Sequence, residues 1–111
     1  MQTHQMKLRT RPYICIKNGS KKIELRLNDE KRQIIDLWDI IEFINQENDQ
    51  DEVIKEEVVW LLKYNSFTDI TNDFDASMFG DRPKEELLDL LYQFYSKENE
   101  KKYWILWIRI R

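Results

Sequence analysis

Period-two alternation dominates the first third of the chain. In "KKIELRL" (21–27), Ile23, Leu25 and Leu27 alternate with Lys22, Glu24 and Arg26, which predicts a strand with its aliphatics turned inward. Upstream, "HQMKLR" (4–9) reads as a short strand. "RPYICIKN" follows as a short helix, with Thr10 as N-cap, Pro12 tolerated in the first turn, and Tyr13, Ile16 and Lys17 on one side. Gly19 supplies a left-handed stop. Downstream, "NDEKRQ" predicts a turn or single helical turn, and "LWDIIEFIN" (37–45) a further strand. The polar run "QENDQDE" (46–52) turns the chain into "VIKEEVVWLLKY" (53–64). Its glutamates favour helix. The β-branched pair Val58 and Val59 and the preceding hairpin signal favour strand from about residue 56 onward.

The period changes in the second half. "SFTDITNDF" (66–74) opens with Ser66 and Asp69 at a capping-box-like spacing, which predicts a short helix. "DASMFGD" reads as a loop. "DRPKEELLDLLYQFYS" (81–96) carries the clearest helical pattern, capped by Asp81, with Leu87, Leu88, Leu91, Phe94 and Tyr95 in a wide apolar stripe. "KENEKK" reads as a turn into "YWILWIRI" (103–110), a strand apolar on both sides. Strands with interspersed short helices imply an α+β fold, a small curled sheet forming one domain over residues 1–111.

The composition adds constraints. With 41% hydrophobic and 35% charged residues in 111, the chain has enough apolar matter for one core and too much to be disordered. No apolar run approaches the roughly 18 residues of a membrane span, and "MQTHQMKLRTRPY" lacks the apolar region of a signal peptide. The lone Cys15 lies between two isoleucines, which suits a buried structural thiol in a reducing, cytoplasmic setting. The net charge of −3 argues against a general nucleic-acid coat. Its distribution is uneven: residues 1–33 hold nine Lys/Arg and three Asp/Glu (+6), residues 34–111 nine and eighteen (−9). Such asymmetry marks a basic face backed by an acidic body, unless the fold brings the halves together and cancels the field.

Several chemistries are missing. With only Gly19 and Gly80 there is no phosphate-cradling glycine loop, and one His with one Cys builds no zinc site, so no metal or cofactor is expected. His4, near the N-terminus, does not suit a Ser-His-Asp scheme. The polar row Lys22, Glu24, Arg26 keeps two readings: the wet face of an exposed strand, or the lining of a cleft that fixes a polar ligand.

The segments "IKNGSKKIELRLNDEKRQIIDLWDIIEF", "YNSF" and "YQFYSKENEKKYWILWIRI" resemble the ASCH domain, the family named for homology to the activating signal cointegrator within the PUA-like superfamily. The likeness runs from about Met6 to Arg109, as in stand-alone bacterial members. It implies a small PUA-like β-barrel of five or six strands with flanking short helices, a cleft between the first helix and the barrel, and RNA or nucleotide binding. The residues it implies for the ligand are Lys21, Lys22, Glu24, Arg26 and Tyr103. One bacterial branch hydrolyses N4-acetylcytidine, and is similar here at Gly19, Lys21, Ile23 and Arg26. That branch uses its lysine with a threonine at the position of Glu24 and a distal glutamate, for which Asp81 and Glu85 are loose candidates. Hydrolysis would then rest on Glu24 as general base on water and Lys21 as oxyanion stabiliser. The cointegrator namesake also implies a third role, a protein-interaction module.

Two sets of residues qualify the resemblance. It implies glycine at 38 and 104 and a small residue near 107, where this chain has Trp38, Trp104 and Trp107, with Trp60 as a fourth. These tryptophans read as a base-stacking platform, or as core filler or an association surface. Asp29, Glu30, Lys31 and Arg32 read as braces of the turn, and Tyr64, Asn65, Ser66 and Phe67 as a strand-to-helix corner.

Overall fold

The computed structural model describes residues Met1 to Arg111. In chain order the elements are β1 (Thr3–Leu8), α1 (Thr10–Lys17), β2 (Ile23–Leu27), β3 (Ile40–Asn45) and β4 (Ile54–Tyr64). Then come α2 (Phe67–Asp73), a 3-10 turn (Ala76–Phe79), α3 (Lys84–Phe94), α4 (Lys97–Tyr103) and β5 (Ile105–Ile110). The α+β class read from the sequence holds. No helix is long and apolar enough to cross a membrane.

The sheet has the order β1-β3-β4-β5-β2, with β1 parallel to β3 and the other neighbours antiparallel. Strand β4 is long enough to serve two partners. Ile54–Glu57 pair with β3, and Val58–Tyr64 pair with β5, with a bulge between Val58 and Trp60. A bulge bends its strand and raises the local twist, so the sheet curls into a half-barrel. Strands β1 and β2 are its open edges. Arg26 bridges them, its Nη2 donating to the Lys7 carbonyl (3.0 Å), and Arg32, in the turn after β2, donates from Nη1 to the Gln5 carbonyl (3.5 Å).

The curl explains why β5 is apolar on both faces. Leu106, Ile108 and Ile110 join Met6, Phe43 and Tyr13 in one core cluster, which α1 covers. Ile105 and Trp107 join Leu25, Phe67, Ile70 and Leu87 in a second, under α2 and α3. Strand β2 is enclosed in the same way. Its aliphatics face the second cluster, while Glu24 and Arg26 pair with Ile108 and Leu106 and share their concave side. The alternation of β2 therefore marks two covered faces rather than one wet one, and Glu24 is 5% exposed.

Local chemistry accounts for the helix ends. Ser66 caps α2 as expected, its Oγ accepting from the Asp69 N–H (3.0 Å). Gly19 takes φ +83° after α1, the expected stop. Thr10 is not a cap: it is the first helical residue, and its N–H donates to Glu47 Oε1 (2.7 Å). Asp81 is not the cap of α3, which starts one residue after Pro83; Asp81 pairs instead with Arg11 (2.9 Å). "KENEKK" forms helix α4 rather than a turn. Ser96 Oγ accepts from the Asn99 N–H, and Glu98 with Glu100 at the start and Lys101 with Lys102 at the end suit the helix dipole. Buried Glu100 then accepts from the Phe67 N–H (2.9 Å) and the Tyr92 hydroxyl (2.8 Å), tying α4 to α2 and α3.

Residues 37–39 form a turn, not the start of a strand. Trp38 lies at φ +72° and donates its N–H to the Val58 carbonyl (2.7 Å), and Trp104 at φ +66° ends α4. Positive φ thus occurs at two positions where the resemblance implies glycine, at a cost of about 1–3 kcal/mol each for a residue with a Cβ.

Candidate functional site

A cavity of about 390 Å³ opens where α1 and the β1 end face α3 and the 3-10 turn. Lys21, Glu24 and Arg26 form its floor. Lys21 arrives from the turn after α1, held by its N–H bond to the Cys15 carbonyl (3.0 Å). Its Nζ lies 3.4 Å from Glu24 Oε1, which also accepts from the Leu25 N–H (3.0 Å). Arg26 Nη2 lies 3.8 Å from Glu24 Oε2, beyond hydrogen-bond reach, and that oxygen has no partner. Burial pushes the Glu24 carboxyl up, but Lys21, Arg26 and the Leu25 N–H outweigh it and hold the group below its ordinary value. Nearby, burial and then Arg26 lower the Arg32 pKa. Tyr95 lines the cavity and stacks on Phe67 at 5.4 Å; burial, the largest influence on it, pushes its phenol up.

Six cationic side chains line the cavity (Lys7, Arg9, Arg11, Lys21, Arg26, Arg82) against three acidic ones (Glu24, Glu47, Asp81). A chain of net −3 thus concentrates positive charge in one recess. At the rim, Arg11 and Arg82 are paired, with Asp81 (2.9 Å) and Glu86 (2.6 Å). Lys7 makes no ion pair, and Arg9 lies 5.1 Å over the exposed ring of Phe94 without one.

Lys21, Glu24 and Arg26 are therefore brought together, while Lys22 and Tyr103 are not. Lys22 Nζ donates to the Arg111 carbonyl (3.3 Å), because the strand end turns it away from the recess. Tyr103 packs against the helix-side core with the Lys102 ammonium 5.0 Å above its ring. Asp81 lines the cavity and Glu85 does not. Trp38, Trp60 and Trp104 are exposed outside it, and Trp107 is buried against Phe74 at 5.2 Å. The aromatic rings in the cleft are instead those of Phe79, Phe94 and Tyr95. Sequence reasoning missed Tyr95 as a site residue because it read as part of the apolar stripe of 81–96, and Arg82 because nothing singled it out in the stretch before α3. It registered Lys7, Arg9 and Arg11 only as part of the basic first third. No group of three or more His, Cys, Asp or Glu is arranged to hold a metal ion.

No family model matches the chain, and no curated protein matches it. Solved structures do. The crystal structure of hypothetical protein PH0355 superposes with a TM-score of 0.84 at 35% identity, over 99% of this chain and 98% of that one. The solution NMR structure of protein PF0455 from Pyrococcus furiosus gives a TM-score of 0.76 at 33% identity, over 99% and 96%. Likeness of this extent and identity means that the chain belongs to the same family as PH0355 and PF0455.

Proposed function

We propose that the protein is a nucleotide- or RNA-binding module of ASCH type, with the cleft as its binding site. The observation that carries this reading is the floor itself, where two cations share one carboxylate inside a recess. One positive charge is left over where the dielectric is low, so an anionic or carbonyl-bearing ligand gains more there than on open surface. A nucleotide supplies the matching groups. Its phosphates suit Lys7 and Arg9 at the rim, its ring suits stacking on Tyr95 or Phe94, and its polar edge suits Lys21, Glu24 and the planar fork of Arg26.

Binding is better supported than turnover. A general base works best with a pKa near the operating pH. The Glu24 carboxyl is held below its usual range by Lys21 and Arg26 against the upward push of burial, which makes it a weak base for activating water. Incubation with N4-acetylcytidine is therefore expected to release no cytidine above a Lys21→Ala control; clear Lys21-dependent release would restore the hydrolase reading. A reducing compartment such as the cytoplasm suits the unpaired, buried Cys15.

Fluorescence anisotropy with a short RNA tests the binding reading. Affinity should fall steeply with salt. Arg26→Ala should weaken binding about tenfold or more, whereas Lys97→Ala, at the exposed start of α4 and outside the cleft, should leave it unchanged. Equal effects of the two substitutions would sink the assignment to this cleft.

A further inference from the structure

Resting on the nucleotide-binding reading above, we infer that the cleft takes one unpaired base of a nucleic acid, edge first, and rejects the same base held in a duplex. The floor groups are recessed: Lys21 is 8% exposed and Glu24 5%. A paired base turns its Watson–Crick edge toward its partner strand, so only a single-stranded or extruded base brings that edge to a recessed floor. The cavity, about 390 Å³, is at the small end of ligand sites and has no room for a duplex segment.

The floor is also chemically mixed. Glu24 Oε2 is a buried acceptor without a donor, next to the donors of Lys21 and Arg26. A phosphate offers only acceptors and leaves this oxygen unmatched, with a second anion beside it. The Watson–Crick edge of every standard base carries an N–H beside a ring nitrogen or carbonyl acceptor, which complements a carboxylate oxygen flanked by cations. In a duplex that N–H is already spent on the partner base. The phosphates then stay at the rim, where Lys7 and Arg9 make no ion pair, and Tyr95 and Phe94 stand on the wall where the displaced ring would lie. Backbone contact and base contact thus fall on different residues, which makes them separable.

The experiment uses the full chain and one labelled RNA of mixed sequence in three forms: single-stranded, fully paired to its complement, and paired with a pool of complements that leave one nucleotide bulged. The single strand is expected to bind about tenfold or more tightly than the perfect duplex, and the bulge to recover most of that difference. Glu24→Gln, which keeps the side-chain size and offers a donor in place of the carboxylate oxygen, should shrink the gap between single strand and duplex. Lys7→Ala combined with Arg9→Ala should weaken all three forms by a similar factor. Equal binding of single strand and duplex, or a gap unchanged by Glu24→Gln, overturns the inference while leaving nucleic-acid binding intact. Failure of the wild-type chain to bind any of the three forms overturns the binding reading with it.

Discussion

Asp39 offers the sharpest test of what holds the early strand in place. It is 3% exposed at the turn before β3. Its Oδ1 accepts from the Gln2 N–H (2.9 Å); its Oδ2 is bonded to His4 Nε2 (2.8 Å) and accepts from the Asp36 N–H (3.0 Å). Burial pushes this carboxyl up, but the two backbone donors and His4 prevail and lower it from 3.8 to about 2. Nearly two pK units at ~1.36 kcal/mol each give about 2 kcal/mol of stability. The folded pKa is the lower one, so the contribution is complete well above 3.8, fades as pH falls through 3.8 toward about 2, and is gone below. Asp39→Asn removes the charge and turns an NH₂ toward an N–H donor. Urea unfolding of both chains, followed by tryptophan fluorescence from about pH 7 down to about pH 2.5, should show the variant about 2 kcal/mol less stable at neutral pH and the gap closing in acid. Parallel stability curves across that range would refute the reasoning. The same tether fixes the start of β1, whose Gln5 and Lys7 carbonyls receive Arg32 and Arg26. Amide exchange of β1 should therefore quicken in the variant.

Three further outcomes follow from the packing. Phe67→Ala empties a fully buried position stacked on Tyr95 and edge-on to Tyr92, and should cost about 3–5 kcal/mol in chemical denaturation; a loss under about 1 kcal/mol would mean that the helix-side core does not depend on it. Glu24→Ala leaves Lys21 and Arg26 without their shared carboxylate and should cost about 3 kcal/mol, part of which Glu24→Ala with Lys21→Met should recover. Trp38 and Trp60 are about equally exposed, yet only Trp38 is left-handed. Trp38→Gly should therefore cost at least about 1 kcal/mol less than Trp60→Gly in the same measurement, and equal costs would remove the strain argument.

Much of this architecture follows from periodicity. The alternation of Ile23, Leu25 and Leu27, the two-sided apolar run of 105–110 and the Ser66 cap are short-range facts, and each lies where the pattern puts it. Helix α4 escaped because "KENEKK" has no apolar face of its own. Its buried contact is Glu100, whose partners Phe67 and Tyr92 lie far along the chain. The turn at Trp38 escaped because tryptophan is not a residue that announces positive φ.

By itself the sequence determined the α+β class, the five strands, the helices α1, α2 and α3, the clustering of cations in the first third, and the candidacy of Lys21, Glu24 and Arg26. Only the tertiary structure decided that Lys22 and Tyr103 stand apart from them, that Arg82 and Tyr95, which flank α3, join the same recess, and that the tryptophans lie elsewhere. Alternation along a strand says which side chains share a face. Whether that face meets water depends on how the sheet curls, and here the curl arises from a bulge in β4 and an arginine-bridged seam between β1 and β2.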